Sequence, residues 1–222
     1  MKNKLESFET YRGFAALMIA AIHFKVNSPL VNHVFANGFF VHFFFTLSGF
    51  VIYLNYRDRI SSFKSMIFFL KKRFLRLYPL HALFLIIFLS IEISKYFLEI
   101  NYEIVANNKA FSINNYQSLI GNLFLIQTFF DYNSFNTPSW SISAEYYTYI
   151  LFALVLMFFA KKTFVIILFL ICVVIFRINS NVNFGINYTY YSFLDCIYCF
   201  FIGLLFCKLF FKHSNSNFYK MN

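Results

Sequence analysis

Long apolar runs alternate with short polar or basic connections along the 222 residues of this chain. A run of Leu119–Phe130 has about 12 residues, fewer than the roughly 20 that a crossing helix needs, and predicts a re-entrant or interfacial segment. The pattern therefore predicts an all-α fold, a polytopic integral-membrane helical bundle of about six transmembrane helices plus this short segment. The six longer runs are about Phe14–Val26, Gly38–Asn55, Leu77–Ile93, Ile142–Ala160, Phe164–Phe176 and Tyr190–Phe211.

The composition also indicates a membrane protein and excludes an ordinary soluble domain. Apolar residues make up 60% of the chain and charged residues only 13%, against roughly 25% charged in soluble domains. The mean hydropathy is +0.63. The start, Met1-Lys-Asn-Lys4 before an apolar run, resembles a signal peptide, but no small-residue cleavage site is evident after Phe24 and further apolar runs follow. We therefore predict a retained first helix.

The net charge of +10 does not predict nucleic-acid binding, because the basic residues lie in short clusters between apolar runs. Asn27–Asn37 has no Lys or Arg, so the basic loop between the second and third runs is predicted to be cytoplasmic, together with the N-terminus. Glu99–Gln117 then lies outside, and a Leu119–Phe130 segment that does not cross returns Lys161 and Lys162 to the cytoplasm. The basic residues of that loop are Arg57, Arg59, Lys64, Lys71, Lys72, Arg73 and Arg76.

Arg12 and His23 are the first candidates for chemistry. They are eleven positions apart in the first apolar run, so on a helix they lie on one stripe about 16 Å apart. An ionisable residue near the middle of a membrane is a functional candidate by default. The alternatives are that Arg12 anchors the helix at the cytoplasmic surface and that His23 is a hydrogen-bonded packing residue.

Arg73 and Arg76 are the second candidates. They are three positions apart, which predicts that they project from the same side of the third helix, and paired guanidinium groups suit phosphate groups. The alternative is a basic anchor of the kind that the positive-inside rule explains. Cys196-Ile-Tyr-Cys199 lies in an apolar run without a second Cys or His pair nearby in the sequence, so we predict no metal site there.

Four sequence elements, taken in order, resemble the membrane acyltransferase-3 family, whose multi-pass enzymes O-acylate surface glycans. They are Arg12 with His23, Phe44-Phe-Thr-Leu-Ser-Gly-Phe50, Arg73 and Arg76 with Tyr78-Pro79, and Trp140-Ser-Ile-Ser-Ala-Glu145. Phe200-Phe-Ile-Gly203 is a weaker match. On this resemblance residues 1–213 form an acyltransferase-3-like transmembrane domain and residues 214–222 a polar tail.

The resemblance implies an O-acyltransferase that moves an acyl group, acetyl in the first place, from cytoplasmic acyl-coenzyme A to a hydroxyl of a cell-surface or lipid-linked glycan. It implies a catalytic set of His23, Arg12 and Glu145, with His23 as general base, and donor binding by Arg73, Arg76 and Arg12 at the inner mouth. No metal is implied. Glu145, about 8 Å into the fourth helix from outside, either orients His23 or caps the helix N-terminus.

Two other histidines and the length of the chain leave alternatives open. His42 either assists the site or forms a hydrogen bond within the bundle, and His81 is expected to cap the inner end of the third helix. Family members have more helices than this chain, so the resemblance implies an incomplete domain, covered by membrane lipid and by a homo-oligomer or a partner subunit. The alternative functions are an inactive fragment, a partner-dependent subunit, or a transporter using Arg12, His23 and Glu145 as a relay.

Overall fold

The computed structural model describes residues 2–23, 38–129, 135–159, 162–179 and 190–217, and within them it has seven α-helices and no strand. Except for Gly38, the described parts of the six predicted runs all lie in helices, which confirms the all-α class. A 3₁₀ turn, Thr137–Ser139, leads directly into the fifth helix. The helices are α1 Lys2–His23, α2 Phe39–Tyr56, α3 Phe63–Tyr102, α4 Tyr116–Leu123, α5 Trp140–Phe159, α6 Thr163–Asn179 and α7 Tyr190–Asn217.

Among the described residues, four segments are long and apolar enough to cross a membrane. They are α2, α3, α5 together with its 3₁₀ turn, and the Ser192–Phe210 part of α7. Two predicted spans are outside this set. α6 is apolar but has 17 residues, and the first half of α1 contains several charged residues.

The third helix begins earlier than predicted, at Phe63 instead of Leu77, so the basic stretch from Lys64 to Arg76 is helical and is not a loop. Ser62 and Ser65 explain this start, because the Ser65 amide donates to Ser62 Oγ (3.3 Å) and the Ser62 amide donates to Ser65 Oγ (3.0 Å). Lys and Arg also favour helix. The resulting 40 residues are about 60 Å long, roughly twice the thickness of the hydrocarbon core.

The described residues pack as two compact units. The first unit contains residues 1–66, 151–186 and 194–222, and the second contains residues 67–150 and 187–193. The boundaries fall within α3, α5 and α7, so these helices contribute to both units.

In the first unit α1 and α2 are antiparallel, since Phe8 contacts Phe50 and Phe14 contacts Phe40 (centroids 4.6 and 6.4 Å apart). The backbones of α2 and α7 also approach each other closely in this unit, at Gly49 and Gly203. A Cβ on Gly49 would lie 1.9 Å from the Phe200 carbonyl oxygen, which only glycine permits. The Phe44–Phe50 motif of α2 therefore packs on the Phe200–Gly203 motif of α7.

In the second unit α3 and α5 are antiparallel, because Phe69 packs on Tyr149 (5.9 Å) and Phe74 on Tyr146 (5.7 Å). α4 has eight residues, about 12 Å, and is too short to cross by itself. The interpretation of Leu119–Phe130 as a segment that does not cross stays a prediction.

The segment that follows α3 runs back along this helix, towards its N-terminal end. Glu92 of α3 accepts hydrogen bonds from the Phe111 amide (2.9 Å) and from Asn114 Nδ2 (3.0 Å). Tyr78, 14 residues earlier on α3, donates its hydroxyl to the Leu123 carbonyl at the end of α4 (3.0 Å). Fourteen helical residues span about 21 Å, so the segment descends by roughly that distance between its two attachments.

Candidate active site

Arg12 is buried in the middle of α1, with 6% of its surface exposed. Its guanidinium carbon lies 5.3 Å from the centre of the Phe44 ring of α2. The residue is about 15 Å along the helix from Lys2 and lies just before the apolar run that begins at Phe14. His23 is the last residue of α1, as the predicted stripe requires, but its side chain is outside the described part of the chain.

Arg73 and Arg76 lie on α3 as predicted, but in different environments. Arg73 is 8% exposed, and its guanidinium carbon is 5.6 Å from the Phe69 ring centre and 5.8 Å from that of Tyr149. Arg76 is exposed. The two guanidinium groups therefore differ in burial, since Arg73 packs against Tyr149 of α5 and Arg76 is exposed. Positions three apart on a helix diverge by about 60°, enough to separate an interface from an open surface.

Glu145 is buried, with 5% of its surface exposed, and accepts a hydrogen bond of 2.5 Å from the hydroxyl of Tyr149. The helix begins at Trp140, so Glu145 is beyond the first turn and does not cap the N-terminus. The sequence analysis missed Tyr149. The signal that was available is its spacing of four residues from Glu145, which places both on one face of a helix.

The packing of α3 on α5 places Glu145 close to the level of Arg73. Phe74 contacts Tyr146, so the neighbours Arg73 and Glu145 lie at similar heights along the two antiparallel helices. The resemblance implied arginines at the inner mouth and a carboxylate near the opposite surface. In the structure Arg73 and Glu145 instead lie at one level inside the second unit.

Ser143 of the Trp-Ser-Ile-Ser element and backbone carbonyls beside the element contact the turn that follows α4. Ser143 Oγ donates to the Leu125 carbonyl, and Leu125 itself has a left-handed backbone (φ 56°). Thr128 Oγ1 donates to the Trp140 carbonyl (3.2 Å), and Gln127 Nε2 donates to the Ser139 carbonyl (3.3 Å). The motif therefore has a structural role that spacing alone does not reveal.

His81 lies well inside α3, so the expectation that it caps an end of this helix is wrong. It is 4% exposed, and its Nε2 lies 2.9 Å from the Asn122 carbonyl oxygen, in hydrogen-bond contact with the last turn of α4. Tyr78, three residues earlier, donates to the next carbonyl, that of Leu123. The two side chains thus contact consecutive carbonyls at the C-terminus of α4, and the Asn122 carbonyl also accepts from the Leu125 amide (3.2 Å).

A buried ion pair in the first unit was not predicted. Arg177 Nε of α6 donates to Asp195 Oδ1 of α7 at 2.8 Å, and the two side chains are 2% and 9% exposed. His42 Nε2 of α2 lies 3.9 Å from the other oxygen of Asp195. His42 therefore contacts a charged group within the bundle. An acidic residue within one apolar run and a basic residue directly after another were the available signal.

Comparison with known proteins gives the family. The profile of the acyltransferase-3 family, described as an acyltransferase domain, matches residues 5–221. The chain belongs to the acyltransferase-3 family. Acyltransferase MdmB of Streptomyces mycarofaciens is 30% identical over 164 residues, which cover 68% of this chain and 39% of that protein. No solved structure matches this chain.

Family membership supports the acyltransferase class over a transporter with an Arg12, His23 and Glu145 relay, and the apolar helices are typical of a membrane protein. The chain aligns with 39% of the length of MdmB, so it spans about two fifths of that relative.

Proposed function

We propose that this chain is an integral-membrane O-acyltransferase that moves an acyl group, acetyl in the first place, from cytoplasmic acyl-coenzyme A to a hydroxyl of a cell-surface or lipid-linked glycan. Membership of the acyltransferase-3 family supports the class of reaction. The proposed topology has a cytoplasmic N-terminus in the plasma (inner) membrane, because the basic residues concentrate between α2 and the middle of α3.

The observation that carries the proposal is the pair of buried charged residues inside the second unit, Arg73 and Glu145. Arg73 and Glu145 are 8% and 5% exposed, lie at one level of an apolar helix pair, and both contact Tyr149. Burying ionised groups among apolar helices is costly, and such residues mark functional sites in membrane proteins. Exposed Arg76, three residues from Arg73, offers a guanidinium for the phosphate groups of coenzyme A.

The proposed reaction needs a base and a stabilised donor. The base takes the proton of the acceptor hydroxyl, the oxygen attacks the carbonyl carbon of the thioester, and the carbon–sulfur bond breaks. Coenzyme A leaves as a thiolate and takes up a proton, so the charge balances. A neutral imidazole suits the first step near pH 7, and the resemblance assigns it to His23.

The remaining roles are proposed from the first unit and from the exposed surface. Arg12, buried in the middle of α1, is proposed to line the donor path. Large apolar side chains such as Leu17 (67% exposed) and Phe164 (74% exposed) cover the outside of the helices. We propose that membrane lipid, and a second copy or a partner subunit, cover part of this surface.

The test is acyl transfer by purified protein in dodecyl maltoside, with acetyl-coenzyme A as donor and a panel of alkyl glycosides as acceptors. The His23→Ala variant should lose about 10²–10⁴-fold in rate, the usual effect of removing a general base. Released thiol and the mass of the acetylated glycoside measure the reaction. Insertion and abundance should stay near those of the wild type.

His213→Ala is the matched control, because His213 lies in the last part of α7, before the polar tail. It should transfer at the wild-type rate. Wild-type protein that binds no acetyl-coenzyme A and acetylates no glycoside would contradict the proposed function. Normal transfer by His23→Ala would contradict the role of His23 alone.

A further inference from the structure

Tyr149 is a buried tyrosine in the middle of α5 that contacts two of the predicted site residues. Only 2% of its surface is exposed. Its hydroxyl donates to Glu145 Oε1 at 2.5 Å, and its ring centre lies 5.8 Å from the guanidinium carbon of Arg73. One side chain therefore joins a carboxylate and a guanidinium that the sequence assigned to separate motifs.

Packing fixes the direction of this hydroxyl. The Phe69 ring meets the Tyr149 ring edge-on, with centroids 5.9 Å apart, and Arg73 also lies over Phe69, 5.6 Å from its centre. A tyrosine has few rotatable bonds, and its ring here is held between an aromatic edge and a cation. The hydroxyl has little freedom to leave Glu145.

A buried carboxyl group needs hydrogen-bond donors. The Tyr149 hydroxyl supplies such a donor from one turn further along the same helix, which fixes the plane and the rotamer of the carboxylate. We infer that Tyr149 is a positioning residue for Glu145 in acyl transfer. This inference rests on the proposed function and deepens it.

The same geometry indicates different roles for Arg73 and Arg76. Arg73 is in contact with Tyr149 and is buried, so it belongs to the group that holds Glu145. Arg76 is exposed and is the arginine that an arriving phosphate group reaches. The rate of transfer should therefore depend on Tyr149 and Arg73, and the affinity for the donor on Arg76.

The Tyr149→Phe variant tests this, because it keeps the ring and both of its packing contacts and removes only the hydroxyl. With acetyl-coenzyme A and the alkyl glycosides, kcat should fall about tenfold to a hundredfold, part of the effect of a complete acid or base group. The KM for acetyl-coenzyme A should stay within about twofold, as expected when ground-state binding is untouched. Arg76→Ala should show the opposite split, with the larger change in KM.

Two further variants separate positioning from a general structural effect. Tyr146→Phe makes the same chemical change on a half-buried tyrosine whose ring contacts Phe74, and it should keep the wild-type kcat. Tyr149→Phe added to Glu145→Gln should cause no further loss, because residues that act through one group are not additive.

The outcomes decide between the possibilities. A kcat of Tyr149→Phe within twofold of the wild type, or an equal loss in Tyr146→Phe, would overturn the positioning role while the proposed function stands. If Glu145→Gln still turns over, a multiplicative loss in the double variant would overturn it too. If Glu145→Gln has no rate, the split between kcat and KM decides alone. Wild-type protein without any transfer would overturn the proposed function and this inference together.

Discussion

In the first unit α2 and α7 touch backbone to backbone, whereas in the second unit the helices are joined by side chains that bond to carbonyl groups. The first contact depends on Gly49 and Gly203, whose missing side chains let the two helices approach. The second depends on Ser143, Tyr78 and His81, each bonded to a carbonyl of α4 or of the turn that follows it.

The difference follows from where the helices end. The middle of a long helix has satisfied its own hydrogen bonds, so two such helices need only close packing. α4 is a short helix of the second unit, and backbone amides of the turn after it donate to the carbonyls of Ile120, Gly121 and Asn122. Side chains of α3 and α5 add donors here: Tyr78 donates to the Leu123 carbonyl and Ser143 to the Leu125 carbonyl.

The largest effect should come from the glycine contact. A Cβ on Gly203 would lie 1.9 Å from the Thr46 carbonyl oxygen, so Gly203→Ala must push two backbones apart. The expected loss is at or above the upper end of the usual overpacking cost of about 1–3 kcal/mol. The free energy of unfolding can be measured by SDS titration of protein in mixed micelles.

Gly13→Ala is the matched control, because no atom lies within 4 Å of a Cβ built there. The added methyl group should leave stability unchanged or raise it by up to about 1 kcal/mol, since alanine favours helix over glycine. Equal effects of the two substitutions would show that the close contact of α2 and α7 does not hold the first unit together.

A smaller effect is expected in the second unit, from Ser143→Ala. The Ser143 side chain is fully buried and donates to the carbonyl of Leu125, which is itself 1% exposed. Leaving this carbonyl without its donor should cost about 1–3 kcal/mol. Ser90→Ala removes an exposed hydroxyl that bonds within α3 and should change stability by less than about 0.5 kcal/mol. A harmless Ser143→Ala would remove the serine from the support of the turn.

The sequence was sufficient for the helices and for the motifs, because each is a local pattern. The error at the start of α3 has a physical cause. Lys and Arg between apolar runs indicate a side of the membrane, but they favour helix as much as loop, and the helix simply continues through Lys64–Arg76. Charge patterns thus predicted the order of the segments better than their bounds.

The site residues that were missed depend on tertiary contacts. Arg177 and Asp195 lie on different helices, and only the packing of α6 on α7 brings them to 2.8 Å. Arg73 is buried and Arg76 is exposed because α3 is rotated so that position 73 packs against α5. Spacing alone does not determine this rotation. Tyr149 matters because Phe69 and Arg73 pack on its ring.

The smallest effect is expected from Tyr78→Phe, which sharpens the comparison within one helix. The Tyr78 ring stacks on Phe74 (centroids 4.4 Å apart) and stays in place, and only the bond from its hydroxyl to the Leu123 carbonyl is lost. Leu123 is 43% exposed, whereas Asn122, whose carbonyl lies beside His81, is fully buried. The Leu123 carbonyl is therefore the less isolated of the two. A net loss of about 0.5–1.5 kcal/mol is expected from one such bond. SDS titration of Tyr78→Phe and Ser143→Ala side by side ranks their losses in the free energy of unfolding. A larger loss in Tyr78→Phe would mean that α3, more than α5, holds the segment between these two helices.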